Sequence, residues 1–447
     1  MLDSVLNTEG ITTSKRRSRL FSIVLTAACA FGVSLAAASR AGVIGSDPES
    51  CGHGRATAEA TAAAPGGIDS ERTQAPRTGA GAPSGPETAS HPEVRKLLEA
   101  AGIKPEGDQR GQMDVVGFVT TEEQMERVLA QCGALAVPQR RALQDRHGWT
   151  DDTSFIAGVC PHDDYYYAGR LYSLLLPYIR GKTVIIFGVF HKARVFDCRD
   201  RLVFDSYKTW RGPYGPVKAS GLREEIIKRL PPEDYVVSND MQMAEHSVEA
   251  IVPFLQAYNR EVEIVSILVP YMEWNTIAHL AGDLSEVLAA IFEENGWKLG
   301  EDVCLISSAD AIHYGDSGWG GKSYADFGTD IHGYEKAVNR DLDLARDYLC
   351  GPIERPKLKK FLYSCVDPED VTDYRITWCG RFSVPFGINV ASRLTERLES
   401  RPLVGRLLDY GTSVSEASLD VEGLGGLGPT APNNLHHFVG YAAIGYR

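Results

Sequence analysis

The stretch FIAGVCPHDDYYYAG, residues 155–169, runs from an apolar segment directly into His162, Asp163 and Asp164 and then three tyrosines. The apolar lead-in reads as a strand, and Pro161 ends it, because proline has no N–H to give to a strand ladder. The polar cluster therefore stands at the strand's carboxyl end, the edge at which open α/β sheets bind ligands. Further short, near-continuous apolar runs follow: KTVIIFGVF (182–190), EVEIVSILVP (261–270) and DVCLISS (302–308). Runs of this kind are strands covered on both faces. Between them lie helical patterns: AGRLYSLLLPYI (168–179), SGLREEIIKRL (220–230), AEHSVEAIVPFLQAY (244–258) and AHLAGDLSEVLAAIFEEN (278–295). The alternation predicts one layered α/β domain with a central, mostly parallel or mixed sheet flanked by helices.

If ligands bind past strand ends, the residues there are the candidates. The second strand is followed by His191 and the fourth by Asp310 and, three residues on, His313. The 244–258 pattern opens with Glu245-His246-Ser247; as a helix it would set His246 and Glu249 on one face at i and i+3, with Val248, Ile251, Val252 and Leu255 towards the core. Late in the chain, YRITWCGRFSVPFG presents Cys379 before a glycine. Taken singly each has an ordinary reading: a loop histidine, a small buried thiol, a helix-capping aspartate, tyrosines as amphipathic cover. Their joint recurrence at strand ends makes a metal or acid/base site the leading expectation.

Net charge is −13, from 59 acidic and 46 basic side chains, without a basic stripe in the globular part, which argues against a nucleic-acid partner. Residues 1–40 carry a basic start (Lys15, Arg16, Arg17, Arg19), an uncharged run over 20–39 and an Ala36-x-Ala38 pattern. Those features predict a signal peptide or membrane anchor, hence an exported, periplasmic or membrane-attached protein. Residues 41–91, rich in Ala, Gly, Pro, Ser and Thr, read as a flexible linker, leaving 92–447 as the α/β domain. The nine cysteines include no Cys-x-x-Cys pair, and export would make some disulfides plausible.

At the candidate residues the sequence resembles the Memo family, also called component B of the AmmeMemoRadiSam set, which is similar in fold to class III extradiol dioxygenases. The resemblance rests on PHDDYYYAG, GVFHKA, EHSVEAIVPFL, SSADAIHYG and CGR, in that order. Weaker echoes are MDVVGFVTTEEQMERVL, as an opening strand and helix, and LLDYGTS and VGYAA, as closing strands. The resemblance implies a metal site on His162, His191 and Cys379, with His246, Asp310 and His313 lining the same cavity. Two imidazoles and a thiolate suit iron or copper, with zinc also compatible, and disfavour magnesium. The sequence departs from the family pattern where Asp163 and Asp164 replace Ala and Gly after the first histidine. They would add a ligand, orient His162 through its second nitrogen, or narrow access. Lys192 replaces a second histidine, and Ala309 is inserted between Ser308 and Asp310.

Three readings follow. The first is a metal-dependent, dioxygenase-like oxidoreductase acting on a small molecule, with His246 or His313 as acid/base group and Asp310 fixing the tautomer of a nearby imidazole. The second is a non-catalytic exported module that binds a metal or a partner. The third is a degenerate relative without metal. A coordination position left open to substrate separates the first from the second. There is no Gly-x-Ser-x-Gly elbow and no P-loop to support a serine hydrolase or a nucleotide site.

Overall fold

In the computed structural model, which describes residues 107–315, 323–421 and 424–447, the four apolar runs lie side by side in one mixed sheet. In chain order the strands are β1 (Gln109–Arg110), β2 (Ala157–Cys160), β3 (Thr183–Val189), β4 (Leu202–Phe204), β5 (Thr209–Trp210), β6 (Val217–Ala219) and β7 (Tyr235–Val237). They continue with β8 (Glu263–Val269), β9 (Val303–Ser308), β10 (Asp310–Gly315), β11 (Gly351–Pro352), β12 (Val404–Thr412), β13 (Asn433–Asn434) and β14 (His437–Tyr446). The helices are α1 (Glu122–His147), α2 (Tyr165–Leu175), α3 (Leu222–Arg229), α4 (Asn239–Met243), α5 (Val252–Tyr258), α6 (Trp274–Asn295), α7 (Ile331–Leu349), α8 (Arg355–Cys365) and α9 (Ser383–Glu399).

The centre of the sheet, β6-β8-β3-β9-β2, is parallel throughout, so the carboxyl ends of β2, β3 and β9 open on the same edge. An antiparallel flank, β14-β12-β11, continues from β2. Strand alternation explains why the central runs are apolar on both faces. Ile185, Phe187, Val265 and Ile267 enter one core with Leu284 and Leu288 of α6 and Leu394 of α9. Val184, Ile186, Ile264 and Leu268 enter a second core with Met125 of α1, Leu171 of α2 and Phe254 of α5. Each such side chain contributes roughly 2 kcal/mol of transfer free energy, set against the cost of ordering the chain.

The structure corrects three expectations. Residues 113–118 form no strand: Asp114 Oδ1 accepts the main-chain N–H groups of Val116 and Gly117 at 2.8 Å each, which commits the backbone to a turn. The capping box of Thr121 and Gln124 then starts α1 as expected. The 244–258 pattern is helical only from Val252, because Pro253 is tolerated in the first turn of a helix but not in its interior. His246 and Glu249 therefore lie in the turns before α5, not on a helical face. The seven cysteines among the described residues are all free thiols, with no disulfide between them. The leader and linker expected over 1–40 and 41–91 lie outside the described residues, and among those described no helix is long and apolar enough to cross a membrane.

Candidate metal centre

Pro161 turns the chain out of β2 and leaves His162 buried, 1% exposed. Its main-chain N–H donates to Asp310 Oδ1 at 2.9 Å, and its ring Nδ1 lies 2.8 Å from Ser308 Oγ. The Ser308 hydroxyl donates to the Ser247 carbonyl at 2.6 Å, so its proton is already committed. It accepts from His162 Nδ1–H, and that fixes the tautomer: Nε2 carries a lone pair. This Nε2 is buried without a hydrogen-bond partner, and the nearest carboxylate oxygen, Asp310 Oδ2, stands 3.2 Å away.

His191, one residue past Phe190, is oriented by the same logic. Its Nδ1 is 2.8 Å from Glu245 Oε1, which leaves the second lone pair, on Nε2, pointing at Cys379 Sγ, 3.4 Å away. Glu245 also accepts the main-chain N–H groups of His191 at 2.7 Å, His246 at 2.8 Å and Ser247 at 3.0 Å. Burial alone would raise the Glu245 carboxyl, but His191 and the N–H donors outweigh it and hold it below the ordinary range. Cys379 opens a short 3₁₀ turn (Cys379–Arg381) and lies 3.0 Å from His313 Nε2.

Ligand atoms of His162, His191 and Cys379 lie within 4.8 Å of one another, and so do those of Asp310, His313 and Cys379. Bonds of about 2.0–2.3 Å around one ion require donors about 3.3–3.7 Å apart, a small side-chain adjustment from this arrangement. Burial, reinforced by the neighbouring imidazoles, holds His162 well below its usual range. Burial likewise pushes His246 and His313 down to about 3. Neutral imidazoles are the form a metal takes up. Burial first, then Asp310, pushes the Cys379 thiol well above its ordinary value, so a cation would have to displace its proton.

His246 stands next to this cluster. Its ring stacks on His191 at 4.8 Å with an interplanar angle of 7°, and its side chain is 32% exposed. His313 falls in β10, paired with Val439 of β14, and Ala309 is the buried link between β9 and β10. The inserted alanine thus joins two strands directly.

The structure separates the remaining candidates from the cavity. Glu249 turns away to pair with Arg110 and to accept the main-chain N–H groups of Met113 and Asp114. Asp164 ties down another loop, accepting from the Thr430 hydroxyl and the main chain of Ala431. Asp163 accepts from the Tyr441 hydroxyl at 2.7 Å, and burial together with Asp310 raises its carboxyl. Neither aspartate touches the second nitrogen of His162, which Ser308 holds. The three tyrosines begin α2, with Tyr165 and Tyr167 buried in its core. Sequence reasoning missed Glu245 and Ser308 as orienting groups, although both stand inside the segments EHS and SSAD that pointed to the site.

A parallel sheet that brings imidazoles to one edge, beside the thiol of a 3₁₀ turn, defines an α/β protein with a side-chain group at metal-ligand spacing. The chain belongs to the Memo family: residues 119–422 match the family described as Memo-like protein. It is similar to a MEMO1 family protein of Aquifex aeolicus, 27% identical over 241 residues, which are 53% of this chain and 73% of that one. A Pyrobaculum arsenaticum relative is 30% identical over 167 residues, 36% of this chain and 53% of its own length. One from Archaeoglobus fulgidus is 31% identical over 167 residues, 36% of this chain and 57% of its own. The chain thus spans little more than half the length of these two archaeal relatives.

Proposed function

We propose that the chain is a Memo-type metal-binding protein that works as a non-haem, metal-dependent oxidoreductase on a small molecule. The observation that carries this reading is the buried, unpartnered Nε2 of His162, oriented by Ser308 towards a second oriented imidazole and a thiol. His162, His191 and Cys379 would hold iron or copper, zinc being the other metal this donor set accepts. Bound iron or copper would supply one-electron and dioxygen chemistry. Around it, His246 is neutral, partly exposed and stacked on His191, positioned to take or return a proton at a substrate. Asp310 holds the His162 main chain and stands within 3.8 Å of His313 Nε2, so it would help orient that second acid/base candidate.

The test is elemental analysis of the full chain, purified anaerobically, beside the His191→Ala variant. Near-stoichiometric iron or copper that is lost in the variant supports the reading and leads to oxygen-consumption screens on small aromatics. A chain that stays metal-free after reconstitution sinks it and favours a degenerate relative. One observation supports a second reading: His313 Nε2 lies 3.0 Å from Cys379 Sγ, within reach of becoming a fourth protein ligand. A metal closed by four protein ligands, as X-ray absorption would reveal, marks a binding module without turnover. Either reading includes export or membrane attachment through residues 1–40, which cell fractionation of the full chain checks.

A further inference from the structure

Where the turn after α3 meets α6, a second cluster stands apart from the cavity. Asp234 enters β7 from the Pro231 turn, its main-chain N–H donating to the Pro231 carbonyl at 3.0 Å. His279 and Asp283 are one helical turn apart on α6, at i and i+4 on one face. His279 Nε2 is 3.8 Å from Asp234 Oδ1, and His279 Nδ1 is 3.7 Å from Asp283 Oδ2. The ligand atoms of all three lie within 4.8 Å of one another.

Acidic groups on a surface commonly stand near a histidine without consequence. Here a further observation sets the cluster apart. Asp234 is only 4% exposed, and its Oδ2 is buried with no hydrogen-bond partner among the described residues. Its side-chain neighbour is the carboxyl group of Asp283, within hydrogen-bonding reach. Two carboxylates have no donor to give each other, so the contact calls for a proton or a positive charge beside it, and a cation held between them and the His279 imidazole would supply that charge.

We propose that Asp234, His279 and Asp283 bind a divalent transition ion of the zinc type. An imidazole beside two carboxylates disfavours magnesium and calcium, which take oxygen ligands, and suits zinc. Donors in a tetrahedral zinc site stand about 3.3 Å apart; a single nitrogen of the largely exposed His279, rotated between the two carboxylates, would close the present spacing, under 4.8 Å, to that distance. The ion would fasten the α3–β7 turn to α6, and water would fill its remaining position.

The experiment uses the full, untagged chain and cobalt(II) as a spectroscopic stand-in for zinc. Cobalt at Cys379 shows a sulfur-to-metal charge-transfer band, whereas cobalt on two carboxylates and an imidazole shows only weak visible bands. The wild-type chain should take up one cobalt equivalent without the charge-transfer band, and zinc should displace it. His279→Gln and Asp283→Asn should each lose that equivalent while any thiolate-marked equivalent remains. Zinc should also raise the melting temperature of a Cys379→Ala chain, an increase that adding His279→Gln abolishes. The proposal is overturned if the wild type takes up no equivalent beyond the thiolate-marked one, or if both variants keep it. Because the two sites have different spectra, failure here leaves the Cys379 site independently tested.

Discussion

At Glu245 one carboxylate receives the ring N–H of His191 and the main-chain N–H groups of His191, His246 and Ser247. An amide in its place would turn an NH2 group towards some of those donors. Glu245→Gln is therefore expected to lower metal affinity about 10- to 100-fold and to destabilise the fold by roughly 1–3 kcal/mol. Metal titration and urea unfolding measure the two effects separately, and an unchanged affinity would show that Glu245 does not orient His191. The ligand candidates themselves were legible in the sequence because each follows an apolar run that could only be a strand, or belongs to a recognisable segment. The orienting residues were not legible in that way. Which nitrogen of His162 faces the cavity depends on the Ser308 hydroxyl, and the direction of that hydroxyl depends on the Ser247 carbonyl arriving from another part of the chain.

Elements meet closely where the 3₁₀ turn of Cys379 passes the β9–β10 link. A Cβ on Gly380 would stand 2.2 Å from Ala309 Cβ and 2.8 Å from Val384 Cγ2. Gly380→Ala should cost about 1–3 kcal/mol and shift Cys379, and adding Ala309→Gly should restore part of both stability and metal content; no rescue in the double variant would refute the contact. A second junction is Asp341 of α7, which accepts from Ile312 N at 3.0 Å, Trp378 Nε1 at 2.6 Å and Tyr410 at 2.8 Å, joining α7 to β10, β12 and the approach to Cys379. Burial pushes its carboxyl up to about 6 in spite of those donors. A raised carboxyl pKa means that the folded state holds the proton more tightly than the unfolded chain. Its contribution to stability is then greatest below about pH 4, falls as pH rises to about 6, and stays constant above, by on the order of 3 kcal/mol. Asp341→Asn should flatten that part of the stability–pH curve, measured by denaturant unfolding across the window. The four central strands were legible from their apolar runs, and Pro253 carried the start of α5 in plain view, but the periodicity of the surrounding apolar residues pointed to a longer helix. The 113–118 turn was hidden because its cause is a single aspartate folding back on its own main chain.

Over the whole molecule, the family match begins at residue 119, yet the fold reaches further back. Arg110 is fully buried, stacks 4.5 Å above Trp210, donates to the Gln242 carbonyl at 3.1 Å and pairs with Glu249. It braces the segment that carries Glu245 and His246. A chain cut at residue 119 leaves the Glu249 carboxylate buried and unpaired, at a cost of roughly 3–5 kcal/mol, whereas one beginning at residue 107 keeps the pair. Calorimetry of the two truncations should show the shorter one melting well below the longer; equal melting temperatures would mean that the clasp contributes nothing. At the other end of the sequence, β14 pairs with β2, β10, β12 and β13, and β10 brings Asp310 and His313 to the site. On the ribosome, then, β2 and β10 wait with open edges until residues 437–446 have left the exit tunnel. The site is completed only when β14 has emerged, so a nascent chain that stops before residue 437 should be unable to load metal and should expose strand edges for chaperones and proteases to seize.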